Sequence, residues 1–305
     1  MSIKLLFFGT SSFAVPSLKA LAKDPRFSIL AVVTQPDRPV GRHAELQAPP
    51  VKEAATELGL PVVQFETVKS DEAFETLKNY GADIAVVASF GQIIPERVLT
   101  LTKLGMINVH ASILPNYRGA SPINEAIKQG DQETGVTIMK MDALLDHGPI
   151  LKIATEPIHE NDTTATLEPR LAKLGADILP DTLVELAEGK LEPVEQDHDK
   201  ATKVKLLKRE DGKIDWTRPA QEIERTVRAY QPWPGTFTEW NGKRLKILSA
   251  KIGSPSDKPA GSLTTDDGYP AIVCGDNTAL QLIELQPEGK QAMDGKAFLA
   301  GHEWR

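Results

Sequence analysis

The sequence predicts an α/β protein with a Rossmann-like domain on a mostly parallel sheet, followed by a small OB-like β-barrel domain. Three observations carry that expectation. From Met1 to about Gly189, short apolar runs alternate with helical patterns, the rhythm of βαβ units. The next twenty residues, "GKLEPVEQDHDKATKVKLLK", are polar and lose that periodicity, as a linker does. Beyond them, short β-rich runs are broken by Gly, Asp and Asn, the pattern of a small antiparallel barrel. At 305 residues the chain also exceeds what one core usually organises. The expected boundaries are 1–189 for the first domain, 190–207 for the linker and 208–305 for the second domain.

The elements follow in order. "IKLLFFG" reads as a first strand, because its apolar run is too short for a signal sequence and no small-residue cleavage site follows. "AVPSLKALAK" and "PPVKEAATELG" read as helices, and "SILAVVTQ", "DIAVVAS" and "GMINVH" as further strands. Nearly unbroken apolar runs such as "IAVVA" suit strands covered on both faces by helices. "QPDRPVGRHAELQAPPVK", Gln35 to Lys52, holds four prolines and reads as a stiffened, projecting loop. In the second domain "GKIDWTRPAQEIERTVRAYQPWPG" reads as turn, helix and aromatic-proline turn, before strands in "TFTEWNG", "KRLKILSAKI", "GYPAIVCG" and "TALQLIELQ".

Composition narrows the chemistry. No segment has the roughly 18 consecutive apolar residues of a membrane span, so no membrane partner is expected. The single cysteine, Cys274, rules out an internal disulfide or a multi-cysteine zinc site and suits a cytoplasmic protein. The 14 Lys and Arg from Leu206 to Arg305 are matched by 14 Asp and Glu, so the whole net charge of −7 lies in the first 205 residues. That balance does not describe a general nucleic-acid binder, whose backbone affinity needs clustered cations. "FFGTSSF" has one glycine where a dinucleotide fingerprint needs three, and neither a Walker A motif nor a G-x-S-x-G elbow occurs. His43, His159, His198 and His302 lack metal-ligand spacing, and no metal is expected.

Two segments can carry catalysis. In a strand over "GMINVH", Asn108 and His110 share one face while Val109 packs behind. An amide beside an imidazole can bind a developing oxyanion and relay protons, although the same pair could simply satisfy a polar strand end. "SILPNYRGASP" is rich in turn formers, yet Ile113 and Leu114 are unusual for a solvated loop. They can cover an apolar ligand or merely staple the loop to the core. In "KMDALLDHGPIL", Gly148 allows a tight backbone path that leaves Asp146 at a loop tip, where it could orient His110 or take a proton.

"NVHASILPNYRGASP" followed by "ETGVTIMKMDALLDHGPIL" resembles the formyltransferases that use 10-formyltetrahydrofolate. "TQPDRPVGR", "IDW", "RAYQPWPG" and "LIELQPEGKQAM" are similar, across nearly the whole chain, to the bacterial methionyl-tRNA branch of that family. The resemblance implies that Asn108 and His110 polarise the formyl oxygen while Asp146 tunes His110. It implies that Ser112, Ile113, Leu114 and Pro115 contact the folate, with Ser89, Phe90, Gly91, Gln92 and Ile93 closing over its pterin. The acceptor it implies is initiator methionyl-tRNA, read by Arg42 and held by Lys203, Lys205 and Lys208, with the protein acting as a monomer. "HAEL" after Arg42 departs from the lysine-rich loop of relatives. Two alternatives stay open: a formyltransferase acting on an amino-sugar nucleotide, which has no reason to keep "TQPDRPVGR", and a non-catalytic RNA-binding module, which leaves Asn108, His110 and Asp146 unexplained.

Overall fold

The computed structural model describes residues 2–40 and 45–304. They form two compact units, one of Met1–Gly119, Glu133–Pro157 and Glu168–Lys203, the other of Ala120–Gln132, Ile158–Leu167 and Val204–Arg305. Among the described residues no helix is long and apolar enough to cross a membrane.

The first unit is built on seven strands: β1 (Ile3–Gly9), β2 (Phe27–Thr34), β3 (Val62–Gln64), β4 (Ile84–Ala88), β5 (Met106–His110), β6 (Glu133–Lys140) and β7 (Ile150–Pro157). Their order is β7-β6-β5-β4-β1-β2-β3. The pairs from β3 through β5 are parallel, and β6 and β7 are added antiparallel. All five residues of β4 are buried, as expected of a strand with helices on both faces. Leu6, Phe8, Val33, Val87, Phe90 and Leu77 meet in one core cluster. Helix α1 (Val15–Lys23) follows β1, α2 (Pro50–Glu57) precedes β3, α3 (Asp71–Asn79) precedes β4, and the long α4 (Thr164–Ala187) follows β7. The Ser70 side chain caps α3 by accepting the Ala73 N–H at 3.1 Å, satisfying one of the free donors of its first turn.

The "QPDRPVGRHAELQAPPVK" segment is not a plain loop. Arg38–Val40 and Glu45–Gln47 pair as a short antiparallel ribbon, and Pro50–Glu57 already belongs to α2. Pro39 sits in this two-stranded ribbon, the kind of edge position where its missing N–H is tolerated.

In the second unit, α5 (Ala220–Ala229) lies against an antiparallel sheet of β8 (Thr236–Trp240), β9 (Lys243–Pro255), β10 (Leu263–Asp266), β11 (Tyr269–Val273), β12 (Thr278–Pro287) and β13 (Met293–Asp294). The ladder runs β8-β9-β12-β11-β10, with β13 on β12. Ile223 and Val227, four residues apart on α5, share a core with Leu245, Ile247, Leu282 and Phe298. Cys274 is buried in the same core, and burial pushes its thiol up to about 12. It is therefore a packing residue and not a nucleophile.

Candidate active site

Strand β5 presents the candidate side chains. It lies between β4 and β6, with Asn108 opposite Met139 and His110 opposite Thr137. The period of two sends Asn108 and His110 to one face and Val109 to the other. Behind Val109 the helix α4 carries Gly175, where a Cβ would stand 2.8 Å from Val109 Cγ1. Glycine thus lets the helix back lie close behind the strand.

The structure brings Asn108, His110 and Asp146 together. Asn108 Nδ2 donates to Asp146 Oδ1 at 3.3 Å, and the Gly119 N–H donates to Oδ2 at 2.8 Å. His110 Nδ1 lies 3.7 Å from Asp146 Oδ2, with the two side chains only 6% and 10% exposed. His110 Nε2 is 3.1 Å from the Tyr117 carbonyl. A carbonyl only accepts, so Nε2 carries a hydrogen and Nδ1 is the nitrogen left for chemistry beside Asp146.

Asp146 takes a left-handed backbone, φ 47°, uncommon for a residue with a side chain. Two residues on, Gly148 closes the loop against β6: a Cβ there would stand 2.0 Å from the Lys140 carbonyl oxygen. Gly148→Ala must therefore shift the loop, and displacing a catalytic group by about 1 Å can cost on the order of a hundredfold. The expected result is a fall in turnover of that order with a normal far-ultraviolet circular dichroism spectrum, measured by steady-state kinetics.

The predicted folate contacts divide. Ser112 is fully buried and donates to the Asn116 carbonyl at 2.6 Å, and Leu114 is likewise buried. Thr137 Oγ1 pins the loop, accepting the Leu114 N–H at 3.1 Å and donating to the Ser112 carbonyl at 2.6 Å. Ile113 and Pro115 remain partly exposed. In the loop after β4, Phe90 is buried edge-on to Phe8, with ring centroids 5.4 Å apart. Gln92 accepts the Val68 N–H at 2.9 Å and donates to the Phe65 carbonyl at 3.1 Å. Ser89 and Gly91 are exposed, and Ile93 is 76% exposed. Both loops leave the carboxyl ends of parallel strands, where open α/β sheets bind ligands.

Ser11, after the carboxyl end of β1, bonds Ser89 through the two hydroxyls at 2.7 Å, and Thr10 Oγ1 and Gln35 Nε2 both donate to the Phe90 carbonyl. The strand-end rule applied to β1 points to Thr10 and Ser11. The Tyr117 carbonyl and the Gly119 N–H are backbone groups, for which side-chain reading has no signal.

Arg42 lies outside the described residues. Of its neighbours, Arg38 pairs with Glu66 at 2.7 Å and Lys52 with Asp37 at 2.8 Å. Lys203 is exposed in a two-residue strand beside Arg118–Gly119. Lys205, 73% exposed, bonds Asp211 at 2.6 Å, and the exposed Lys208 donates its backbone N–H to the same carboxylate. The hydrogen bond from Lys205 is the largest reason that the Asp211 carboxyl is held below the usual range.

The chain matches the formyl transferase family over residues 1–183 and the formyl transferase C-terminal domain over residues 206–303. It is 46% identical to a methionyl-tRNA formyltransferase of Roseiflexus sp. (strain RS-1), covering 99% of this chain and 93% of that one. With the corresponding protein of Chloroflexus aggregans it shares 45% identity over 98% of this chain and 97% of that one. The chain belongs to the methionyl-tRNA formyltransferase family. Solved structures of lower identity share the fold. An N-formyltransferase from Helicobacter canadensis, in complex with folinic acid and dTDP-3-aminofucose, is 19% identical with a TM-score of 0.66, covering 93% of this chain and 99% of that one. Glycinamide ribonucleotide transformylase 1 from Symbiobacterium toebii, 22% identical with a TM-score of 0.54, covers 64% of this chain and 95% of its own.

Proposed function

We propose that the protein transfers the formyl group of 10-formyltetrahydrofolate to the α-amino group of methionine on initiator tRNA. The observation that carries the reading is the convergence of Asn108, His110 and Asp146 at one strand end, in a chain related over its whole length to methionyl-tRNA formyltransferases. The donor supplies an electrophilic formyl carbon. Asn108 Nδ2 and a protonated His110 Nδ1 are the donors for the oxygen as it gains charge, in a site where little water competes. The amine attacks the formyl carbon, the bond to N10 breaks, the amine gives up one proton and N10 takes one. His110 and Asp146 move and stabilise that proton, with Nε2 held throughout by the Tyr117 carbonyl. Exposed Ile93 on the loop after β4, and exposed Leu144 and Leu145 on the loop after β6, offer apolar surface for the pterin, and Ile113 and Pro115 belong to the loop after β5.

Arg42 is proposed to read the acceptor end of the tRNA, and Lys203, Lys205 and Lys208 to meet its phosphates. In the second unit, Lys205 lines a cleft of about 650 Å³ together with Lys128, Lys213, Arg218 and Arg225. Lys205 must exchange Asp211 for a phosphate there. Lys205→Ala is expected to weaken initiator and elongator tRNA alike and to lower the slope of log K against log salt by about 1. Arg42→Ala should instead narrow the preference for initiator tRNA, by roughly 1–3 kcal/mol if it makes a base contact. Filter binding across a salt series separates the two.

The acceptor is tested by comparing kcat/KM for methionyl-initiator tRNA, methionyl-elongator tRNA and a dTDP-amino sugar at saturating 10-formyltetrahydrofolate. The reading requires initiator tRNA to be the best substrate, and preference for the sugar nucleotide overturns it.

A further inference from the structure

Gln196 lies in the polar stretch read from the sequence as a linker, yet it is only 5% exposed. Its Nε2 donates to the Asp146 carbonyl at 2.9 Å and to the Gly148 carbonyl at 2.7 Å. Its Oε1 accepts from Arg118 Nε at 3.0 Å and Nη2 at 2.7 Å. All four hydrogen-bonding positions of the amide are filled, and turning it over would set N–H against N–H and oxygen against oxygen at each of them. The orientation is therefore determined.

The supports of this amide converge on the active site. Val194, two residues earlier, exchanges backbone hydrogen bonds with Ile150 at 2.7 and 2.8 Å, bringing the segment to the start of β7. Arg118 is 4% exposed and stands between Tyr117, whose carbonyl holds His110, and Gly119, whose N–H holds Asp146. Its Nη2 also donates to His198 Nδ1 at 2.9 Å. The His198 ring stacks on that of His147 at 3.9 Å, and His147 bonds Asp142 at 2.6 Å. Both ends of the Asp142–Gly148 loop are thus tied to one buried guanidinium. Between them Asp146 keeps its left-handed backbone, a conformation that persists only where the surroundings enforce it.

We propose that Gln196 is a positioning residue: by holding the carbonyls of Asp146 and Gly148, it sets the Asp146 carboxylate against His110, and Arg118 orients it for that role. The proposal rests on the formyl-transfer reading, since its readout is turnover, but wild-type activity tests that reading separately. Gln196→Glu keeps the shape and the acceptor for Arg118 while turning a carboxylate oxygen toward two carbonyls. Steady-state kinetics on Gln196→Glu, Asp146→Asn and the double variant form the test, with folate affinity measured by fluorescence titration. The expected result is a fall in kcat of about tenfold or more for Gln196→Glu, a KM for either substrate within about threefold of wild type, and an altered pH–rate profile. In the Asp146→Asn background the same change should cost less than about twofold, because there is no carboxylate left to position. Losses that multiply in the double variant, or an unchanged kcat, overturn the proposal. If Gln196→Glu does not fold by circular dichroism, Arg118→Lys, which keeps the charge but not the fork, goes through the same cycle, where non-multiplying losses support the proposal and multiplying losses overturn it.

Discussion

Replacing His110 or Asn108 by Ala is expected to lower kcat about a hundredfold or more, the scale on which one donor to a developing oxyanion acts. KM for the folate should change little, because neither side chain holds the bulk of the donor. The two substitutions differ in what they leave behind. Without His110 the 3.1 Å contact to the Tyr117 carbonyl and the proton relay are both gone. Without Asn108 the Asp146 carboxylate loses one of its two hydrogen bonds but keeps the Gly119 N–H at 2.8 Å. His110→Ala should therefore be the more damaging, and added imidazole should restore part of its rate and none of the rate of Asn108→Ala. A loss confined to KM in either variant would reduce that residue to a binding role.

Asp146→Asn carries the second large effect. Oδ1 accepts from Asn108 and Oδ2 from Gly119, so an amide, with one oxygen, must face one of these donors with its own N–H. The substitution is thus not silent even before catalysis. It also removes the negative charge 3.7 Å from His110 Nδ1. Most turnover should be lost and folate affinity should be kept, as steady-state kinetics and a fluorescence titration would show. Near-normal rates would leave Asp146 a structural residue of its loop.

How much of this was legible in the sequence depended on whether a residue's role follows from strand or helix periodicity. Asn108 and His110 could be placed on one face, with Val109 behind, because alternation in a strand needs no tertiary information. The parallel sheet and the separate antiparallel domain were legible for the same reason. Ser112 and Leu114 belong to a segment whose apolar residues could face a ligand or the core, and only Thr137, opposite on β6, turns both inward. Gln196 was illegible: a glutamine in a charged, aperiodic stretch has no local mark of burial, and its four bonds reach residues 48 to 78 positions away. The ribbon at Arg38–Val40 and Glu45–Gln47 was hidden by prolines that argue against strands. Asp146 stood between these cases, suggested by the glycine two residues on and by family resemblance.

On the proposed function, the formyl group passes directly from folate to the methionine amine across Asn108, His110 and Asp146, with no covalent stage on the protein. Among the described residues no Ser or Cys hydrogen-bonds to His110 or Asp146, and covalent catalysis needs such an activated nucleophile. The most direct test is a rapid-quench single turnover with 10-formyltetrahydrofolate labelled in the formyl carbon, enzyme in excess and methionyl-initiator tRNA as acceptor. Direct transfer predicts that label leaves the folate and appears in N-formylmethionyl-tRNA at the same rate, with none on the protein at any time. Label that reaches the protein before the tRNA, and leaves it as the product forms, would contradict it.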